Sequence, residues 1–442
     1  MISTWILTAP CKTVAPRKTV AAGLRTGRSV GMSAGTEPGR YKCGPLCAVV
    51  LTTWLAGASV LAGPVAVRGL TIEGAAIEGT WSGVTPSGTV ELVHGGQKKE
   101  FPPEELMLLR WAEPPSSRPA TASQPATAYL TDGSILPGAI AGSDTGTITF
   151  NTRLVPDLKL PLAQLAAVRL LPDTHPAAAE AFEKARAERD PVQDVLLVVR
   201  EDRVTPLKGV MESLTAEGGS FKWRERSVPL RPDTAYGLVF AAGVQKPVAP
   251  QALVALKDGS IWGGRLAGGD ADGVTIERAD GLRVNLPVAE LAEIRFRSDR
   301  VLFLSSLQPT EYAFEPFATT HWPYRVNRSV ANRPMRIGDQ HFEQGIGVHS
   351  QSTLTYDLPD AFSRLAAVIG IDAAVAPRGN VVFRVTVDGK EVFNSGPVTG
   401  RDEPRPVNVP IEGARRIQLI VEFGEELDIG DQANWGNVRV IK

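Results

Sequence analysis

The C-terminal third of the chain alternates apolar and polar residues along several consecutive segments. The clearest runs cover residues 354–358, 365–371, 381–387 and 417–423. A period of two predicts strands that bury one face and expose the other. Asp388-Gly389 interrupts the alternation between Val387 and Val392, which predicts a tight hairpin turn. Many antiparallel strands of this kind predict a β-sandwich over residues 300–442.

The middle of the chain repeats a shorter pattern. AYLTDGSILPGAIAGSDTGTITF, from Ala128, matches VALKDGSIWGGRLAGGDADGVTI, from Val254, 126 residues later. An earlier copy lies 59 residues before the first of these, and a weaker copy runs from Asp194 to Ala241. Each copy has about five short strand-like segments separated by glycine and Asp-Gly turns. This predicts small, strongly bent barrels of the SH3 or Sm type, with an unclosed meandering sheet as the alternative.

The pattern divides the chain into seven segments. These are a signal peptide with an N-terminal extension (1–62), barrel repeat 1 (65–111), repeat 2 (128–172), a helical linker (174–190), repeat 3 (194–242), repeat 4 (252–297) and the β-sandwich (300–442). Pro176 and the Glu180–Lys184 pair predict a helix in the linker, which Asp190-Pro191 ends. Residues 112–127, rich in proline, serine and alanine, predict an extended spacer.

The N-terminal region is typical of an exported protein. Seven basic residues precede residue 43, and no charged residue then occurs until Arg68. The uncharged stretch ends in Val60-Leu61-Ala62, a small-residue pattern that predicts signal-peptide cleavage after Ala62. The alternative is an uncleaved membrane anchor over residues 43–67, with its basic flank inside. Because the basic region is long for a signal peptide, translation from Met32 is a further alternative.

Composition excludes several classes of site. Cys11, Cys43 and Cys47 all precede Ala62, so the exported chain has no thiolate for catalysis, zinc binding or disulfides. The formal net charge is −1, and no basic stretch with interleaved aromatic residues follows residue 70. We therefore expect no nucleic-acid partner.

Four motifs near the C-terminus resemble one family. NRSVANRPMRIGDQHFEQGIGVHSQSTLTYDL, IGID, VTVDGKEVFNSG and GDQANWGNVRV, in this order, are similar to motifs of the NPCBM carbohydrate-binding modules. The resemblance covers about residues 300–442. It implies a jelly-roll β-sandwich that binds sugar without cleaving it and is often appended to glycoside hydrolases. The chain departs from the family in its last motif, because the family commonly has a histidine two residues before the alanine-aromatic part.

The sequence GVHS raises the alternative of a serine hydrolase. A serine nucleophile needs a base within hydrogen-bond reach and an oxyanion hole. His349 and Ser350 are neighbours on an apparent strand, so their side chains are expected on opposite faces. No G-x-S-x-G elbow is present. We therefore expect the glycines to allow a tight turn and His349 to be held by hydrogen bonds at a strand start, with no catalytic residue.

Metal sites have weak support in the sequence. His321, His341 and His349 could supply zinc ligands, but no helical i, i+4 pair or short spacing supports this. The acidic cluster Glu425, Glu426, Asp428 and Asp431 could hold a structural calcium ion through carboxylate oxygens, although it lacks the EF-hand pattern. We expect no cofactor, with this calcium ion as the alternative.

Two aromatic groups with polar companions are candidates for sugar binding. An aromatic face suits the C–H patches of a sugar, and carboxylate or amide groups suit its hydroxyls. The predicted ligand-binding residues are Trp322, Tyr324, His349, Asp431, Asn434 and Trp435. The alternative for Trp435 is a core position, because it precedes the alternating Val438 and Val440.

These observations predict an all-β protein of tandem small SH3/Sm-like barrels followed by a C-terminal jelly-roll β-sandwich. The expected function is that of a non-catalytic exported protein, periplasmic, cell-surface or secreted, whose sandwich binds a polysaccharide or glycan and whose barrels act as a scaffold. The alternative is a structural or protein-interaction protein of the cell surface without sugar affinity.

Overall fold

A computed structural model describes residues 65–111, 126–172, 174–201, 203–243, 249–317, 320–425 and 427–442. The predicted signal peptide lies outside these ranges, as do residues 112–125 of the predicted spacer and all but the last three residues of the alternative anchor 43–67. Val67, within that stretch, is buried in the first strand. No helix in the described ranges is long and apolar enough to cross a membrane.

Each of the four repeats contains five short strands. Repeat 1 has β1 (Ala66–Thr71), β2 (Ala76–Val84), β3 (Val90–His94), β4 (Gln97–Phe101) and β5 (Leu106–Trp111); repeat 2 has β6 (Ala126–Leu130), β7 (Ile135–Asp144), β8 (Thr147–Thr152), β9 (Leu158–Pro161) and β10 (Leu165–Arg169). Repeat 3 has β11 (Asp194–Arg200), β12 (Arg203–Thr215), β13 (Gly218–Trp223), β14 (Arg226–Leu230) and β15 (Ala235–Val239); repeat 4 has β16 (Ala252–Leu256), β17 (Ile261–Gly269), β18 (Gly273–Glu277), β19 (Arg283–Pro287) and β20 (Leu291–Phe296).

The strands pair in the same way in all four repeats. The first strand pairs with the second and the fifth, the second with the third, and the third with the fourth. Short 3-10 turns lead into the fifth strand in repeats 1, 2 and 4, at Pro103–Glu105, Leu162–Gln164 and Val288–Glu290. The fourth and fifth strands do not pair anywhere in the described repeats. The repeats are therefore bent antiparallel sheets, and their closure into full barrels stays a prediction.

A glycine in the second strand recurs for a steric reason. A Cβ atom on Gly138 would lie 2.2 Å from the carbonyl oxygen of Asn151 on the third strand. At Gly209 the same distance, to Lys222 O, is 2.0 Å, and at Gly264, to Glu277 O, it is 2.6 Å. No side chain fits at such distances, so the glycine lets the second strand bend closely over the third.

The repeats associate in pairs through their last strands. β5 of repeat 1 pairs with β20 of repeat 4, with Leu109 opposite Ile294. β10 of repeat 2 pairs with β15 of repeat 3, with Val168 opposite Leu238. In both pairs equivalent positions of the two repeats face each other, which gives a local two-fold relation. Repeats 2 and 4 then meet through β7 and β17, so the twenty strands form one connected sheet.

One helix packs on repeats 2 and 3. Helix α1 (Pro176–Ala187) begins at the proline that the sequence indicates and lies within the predicted linker. Its buried Phe182 contacts the rings of Tyr129 and Tyr236 at centroid distances of 5.6 and 5.8 Å. The helix is thus an integral part of the core between these repeats, not an independent spacer.

The C-terminal domain consists of thirteen strands. They are β21 (Val301–Phe303), β22 (Glu311–Phe314), β23 (Arg325–Val326), β24 (Met335–Ile337), β25 (Gln340–Phe342), β26 (Gly345–His349), β27 (Ser352–Asp357), β28 (Arg364–Ile371), β29 (Asn380–Val387), β30 (Lys390–Thr399), β31 (Arg405–Pro410), β32 (Arg416–Phe423) and β33 (Gln432–Ile441). One sheet has the order β22-β27-β32-β29-β30. The other has the order β23-β26-β33-β28-β31, and β21 also pairs with β33.

The two sheets enclose a continuous apolar core, which confirms the predicted β-sandwich. The alternating residues of β27, β28, β29 and β32 point into it, and its largest members are Trp435, Tyr356 and Phe383. Asp388 and Gly389 both have positive φ, +48° and +83°, between β29 and β30, which confirms the predicted hairpin turn.

The outer face of the second sheet is covered by the β24–β25 hairpin. Gly345 and Gly347 of β26 make this possible, because a Cβ atom on Gly345 would lie 2.7 Å from Met335 Sδ, and one on Gly347 would lie 2.4 Å from Arg328 O. The sequence predicts a tight turn at these glycines. Instead Gly345–His349 is a strand, and the glycines permit close packing of the covering segment.

Repeat 1 and the sandwich share a buried contact. The guanidinium of Arg439, in β33, donates to Ile72 O at 2.8 Å and is 2% exposed. Burial lowers the pKa of Arg439 to about 10, which leaves the side chain charged at neutral pH. Ile72 also packs against Ala366 and Ile441. A buried charge whose partner is a neighbouring domain's carbonyl is costly to expose unpaired, so this contact holds the sandwich on the repeats.

Candidate functional site

The candidate site lies at one end of the sandwich, where β26 ends and β33 begins. Trp322 precedes β23 and is half-buried, and its indole stacks in parallel on the imidazole of His349. The ring centroids are 5.1 Å apart and the planes differ by 5°. His349 is 4% exposed. The structure therefore brings together two of the residues that the sequence predicts at a ligand site.

An aromatic cluster fixes the segment that carries Trp322. The Tyr312 hydroxyl donates to Trp322 O at 2.7 Å, and its ring meets that of Tyr324 edge-on at 4.9 Å. Burial raises the pKa of Tyr312 to about 12, so the phenol stays protonated as this donor. Tyr324 is half-buried, and its hydroxyl accepts a hydrogen bond from the Gln308 amide at 3.3 Å. Tyr324 therefore supports the position of Trp322 from the core side.

The imidazole of His349 is oriented by a hydrogen bond to the backbone carbonyl of the next residue. Nδ1 lies 3.0 Å from Ser350 O, and because a carbonyl can only accept, Nδ1 carries the proton and donates. Nε2 is then an acceptor, and among the described residues it has no hydrogen-bond partner. Such a nitrogen is suited to accept a hydrogen bond from a hydroxyl group of a ligand.

Two polar side chains extend the site beyond the stacked rings. His349 is directly opposite Gln432 in the β26–β33 register, so both side chains project from the same face. The Arg333 guanidinium donates to Gln432 Oε1 at 3.1 Å and is itself half-exposed. Arg333 and Gln432 were not predicted. The alternation of β33 indicates the face of Gln432, but only the register with β26 places it beside His349.

Asp431 lies beneath this surface. Its carboxylate accepts hydrogen bonds from Ser350 Oγ at 2.5 Å and from the Asn380 backbone N–H at 2.9 Å, and the side chain is 1% exposed. Burial raises the pKa of Asp431, and the two hydrogen bonds oppose this by favouring the charged form. Asp431 ties together the starts of β27, β29 and β33.

Asn434 has a similar structural position. Its amide donates to Asp372 Oδ2 at 2.8 Å, below the β24–β25 hairpin, and the residue is fully buried. Asp372 also accepts from the Ala374 backbone N–H at 3.1 Å. The pair links β28 to β33 beneath the covering segment.

Trp435 is a core residue. Its side chain is fully buried and meets Phe383 edge-on at a centroid distance of 5.0 Å. Together with the burial of Asp431 and Asn434, this corrects the prediction that the three residues contact a ligand, because none presents a surface. The core alternative for Trp435 describes the structure, because Trp435 lies on the same face of β33 as the buried Ala433, opposite the buried Ile346 of β26.

The His349–Ser350 pair is not arranged as a nucleophile and base. The hydrogen bond of the Ser350 hydroxyl goes to Asp431, and the imidazole of His349 has no hydrogen bond within the described residues other than that to the carbonyl of residue 350. Ser350 is also fully buried. A serine nucleophile must be accessible and hydrogen-bonded to its base, and this hydroxyl is neither.

The structure also separates the residues considered for metals. His321 packs on Phe314 at 5.1 Å, His341 is exposed in β25, and His349 lies under Trp322. Within the described residues, which omit Glu426, no group of three or more histidine, cysteine, aspartate or glutamate side chains is placed to hold a metal ion. The Asp431 carboxylate of the proposed calcium cluster is occupied by Ser350 and Asn380.

A polar pocket of about 500 Å³ lies at the opposite end of the sandwich. Arg416 Nε is 2.7 Å from the Asp357 carboxylate, and the backbone N–H of Arg416 donates to Asp388. The lining residues include Arg415 and Gln418 but no aromatic side chain. This pocket is the competing position for a ligand on the sandwich.

Comparison with known proteins bears on the C-terminal domain. Residues 301–441 match the NPCBM/NEW2 domain family, which confirms the resemblance predicted for this third of the chain. A protein from Renibacterium salmoninarum, whose name attributes to it an endo-alpha-N-acetylgalactosaminidase activity, is 28% identical over 108 residues. The match covers 24% of this chain and only 7% of that protein.

Solved structures give weaker similarity. The CBM51 module from Clostridium perfringens GH95 in complex with methyl-galactose is 23% identical, with 32% of this chain and 99% of that chain covered and a TM-score of 0.29. The tandem CBM51 modules of the family 98 glycoside hydrolase from Streptococcus pneumoniae are 12% identical, with 85% and 88% covered and a TM-score of 0.29.

Proposed function

We propose that the C-terminal sandwich is a non-catalytic carbohydrate-binding module and that sugar binds at the exposed side of the Trp322–His349 stack. The observation that carries the proposal is the half-exposed indole of Trp322, which stacks in parallel on the imidazole of His349. The Nε2 atom of this histidine has no hydrogen-bond partner among the described residues. The match of residues 301–441 to the NPCBM/NEW2 family supports the ligand class.

The chemistry of the surface suits a sugar. An indole face packs against the C–H face of a pyranose, and the neighbouring acceptor and donor groups suit its hydroxyls. Nε2 of His349 accepts, Arg333 donates, and the Gln432 amide can do both. Three polar groups beside one aromatic platform give orientation as well as contact area.

The burial of the two carboxylates beneath the site supports binding without cleavage. Glycoside hydrolysis requires two carboxyl groups that reach the scissile bond. Asp372 and Asp431 are each 1% exposed and accept hydrogen bonds from within the fold, so neither is available to a sugar. We expect no release of product from reporter glycosides.

The four repeats act as a scaffold in this proposal, and the chain is exported. The connected sheet of twenty strands and the buried Arg439 contact support a fixed presentation of the sandwich. Export rests on the sequence pattern before Ala62, and a periplasmic, cell-surface or secreted location agrees with a glycan ligand.

A glycan array probed with the full chain tests the function. N-acetylgalactosaminides form the first ligand class, in view of the name of the Renibacterium protein. The proposal predicts saturable binding that Trp322→Ala weakens at least about tenfold, equivalent to about 1.4 kcal/mol. Trp223→Ala, which removes a half-buried tryptophan from repeat 3, and Arg415→Ala, in the opposite pocket, are the controls and should bind like the wild type.

The outcome separates the two functional classes. Binding that survives Trp322→Ala but not Arg415→Ala would move the site to the opposite pocket. No binding across the array by a folded wild-type chain would contradict the proposal and leave the structural or protein-interaction alternative.

A further inference from the structure

The first hairpin of each repeat has an equivalent outer end. We define the hairpin end as the turn between the first two strands together with the inward-facing residues beside it. In repeats 1, 2 and 4 one inward residue of the second strand is fully or nearly fully buried, namely Ile77, Leu136 and Trp262. The equivalent residue of repeat 3 is Leu207, which lies opposite Leu196 as Leu136 lies opposite Ala128.

The hairpin ends of repeats 2 and 4 cover each other. Ile135 pairs with Ile261, its equivalent 126 residues later, and the Gly263 backbone N–H donates to Ser134 Oγ at 2.9 Å. Arg153 of repeat 2 contacts both Asp258 and Glu290 of repeat 4. The cavity left between them is only about 10 Å³. Two such ends therefore form a filled and charge-paired interface.

The hairpin end of repeat 1 is covered by the sandwich. Ile72, in its turn, packs with Ala366 and Ile441, and its carbonyl accepts from Arg439. The adjacent carbonyl of Glu73 lies 3.4 Å from the side-chain amide of Asn408. Three of the four hairpin ends thus have a protein partner within this chain.

At the hairpin end of repeat 3 helix α1 packs on one face, against Val199 and Val204, and the inward face has no such partner within the described residues. A pocket of about 400 Å³ opens there, with a floor formed by Leu196, Val198, Leu207, Trp223 and Val228. Val198 and Leu207 are half-buried, whereas Leu130 and Leu256, the equivalents of Val198, are 5% and 2% exposed. An apolar floor left open in one copy, when repeats 2 and 4 bury it, is typical of a binding surface.

The rim of this pocket is positively charged. Arg200 and Arg231 line it, and no aspartate or glutamate is among the described residues that line it. Neither guanidinium has a carboxylate partner among the described residues, whereas Arg153 in the filled interface has two. Both arginines of repeat 3 are exposed and can therefore pair with carboxylates of a ligand.

A second copy of the chain is a poor occupant. The position of Ile135 and Ile261, whose backbones pair across the filled interface, is Pro206 in repeat 3. Proline has no N–H to donate, so it cannot form the same bridge. A two-fold contact would also bring the unpaired arginines of both copies together, which is unfavourable.

We propose that the hairpin end of repeat 3 binds an extended peptide segment of another protein, one with apolar side chains flanked by carboxylates. The apolar side chains fill the floor around Leu207 and Trp223, and the carboxylates pair with Arg200 and Arg231. This surface is independent of the sugar site on the sandwich. It would make the repeats an adaptor as well as a scaffold.

The test uses the full chain and an array of hexapeptides of pattern glycine, acidic, apolar, apolar, acidic, glycine. The acidic positions carry aspartate or glutamate, and the apolar positions carry leucine, isoleucine, valine, phenylalanine or tryptophan. In a matched array, lysine replaces the acidic residues. We expect members of the acidic array to bind at least about tenfold more tightly than their lysine analogues by fluorescence anisotropy, with the preference reduced at high salt.

Substitutions locate the binding. Leu207→Asp places a carboxylate on the floor and should abolish binding, and Arg200→Glu should weaken the acidic peptides and favour the lysine analogues. Arg297→Glu makes the same charge change on an exposed residue of repeat 4, away from this pocket, and should leave binding unchanged. Near-ultraviolet circular dichroism checks that each variant is folded.

Several results would overturn the proposal. These are equal binding of acidic and lysine arrays, acidic-array binding that Leu207→Asp and Arg200→Glu leave intact, or a dimer of the free chain in sedimentation that Leu207→Asp dissociates. Binding of decanoate at this pocket with no binding of any array peptide would assign it to a small anionic amphiphile instead.

Discussion

Strand β33 and the segment before β23 each carry a tryptophan with polar neighbours, but the structure gives them different roles. Trp435 is fully buried against Phe383, and Trp322 lies half-exposed on His349. Ala433 and Trp435 are two residues apart and both buried, and the period of two resumes at Val438 and Val440 after Asn437, whose φ is +49°. HWPYR around Trp322 has no such period. In this domain the tryptophan that keeps a period of two with other apolar residues, Trp435, is a core residue. Trp322, whose sequence neighbours show no such period, is the better candidate for a ligand surface.

The polar neighbours differ in the same way. Asp431 and Asn434 are buried and use their side chains to connect strands, whereas Arg333 and Gln432 bond to each other at the surface. Polar residues beside a buried tryptophan are thus structural here. The comparison predicts that substitutions of Asp431, Asn434 and Trp435 mainly change stability. Substitutions of Trp322 and of the surface residues beside it mainly change binding.

The largest expected effect on stability is that of Trp435→Ala. Removal of a fully buried tryptophan leaves a cavity in the sandwich, which should cost about 3–5 kcal/mol of unfolding free energy. Hydrogen exchange of the β33 and β29 amides, measured in the full chain, reports on the sandwich separately from the repeats. A loss of less than about 1 kcal/mol would contradict the core role of Trp435.

Asp431→Ala should have an intermediate effect. The substitution leaves the Ser350 hydroxyl and the Asn380 backbone N–H without their buried acceptor, at a cost of about 1–3 kcal/mol. The same exchange measurement applies. Asp431→Asn is the matched control, because it keeps one acceptor oxygen and should cost less; equal costs for both would argue against the hydrogen bonds as the cause.

Trp322→Ala should cost less than about 1 kcal/mol of stability. The indole is only half-buried, and the Tyr312 hydroxyl bonds to the backbone carbonyl of residue 322, which the substitution keeps. Thermal unfolding of the full chain checks this. A loss comparable to that of Trp435→Ala would remove the distinction between the two regions.

The smallest expected effect is a dependence on pH. Burial raises the pKa of Asp431 above its ordinary value, so the folded state binds the proton more readily than the unfolded state. The resulting stabilisation is complete below the ordinary pKa of an aspartate and is lost as pH rises through the raised value. Relative to Asp431→Asn, the wild type should therefore gain stability as the pH falls through this window. The opposite trend in denaturant titrations would contradict the assignment.

Much of the fold follows from the sequence for physical reasons that single residues illustrate. The period of two over residues 381–387 and 417–423 places Phe383 and Val421 in the core, and Asp388-Gly389 has the positive φ values that its hairpin needs. The repeated glycine at residues 138 and 264 marks the bend of each second strand. These features depend on local geometry, which a sequence displays directly.

The candidate site could be predicted only in part. Trp322, Tyr324 and His349 were recognised by residue type, but Arg333 and Gln432 depend on the register between β26 and β33 and on the path of a long covering segment. The pairing of repeat 1 with 4 and of 2 with 3 is also invisible in the sequence, because equivalent residues occur in every copy. Only the tertiary arrangement shows that Leu207 is left uncovered.

The central claim is that the Trp322–His349 surface binds sugar and leaves it intact. Isothermal titration calorimetry of the full chain with the strongest ligand of the glycan array tests it most directly, with the sugar recovered unchanged afterwards. The account predicts saturation by the wild type, at least about tenfold weaker binding by Trp322→Ala, and unchanged binding by Trp223→Ala and Arg415→Ala. Equal affinities of the wild type and a folded Trp322→Ala variant would contradict it.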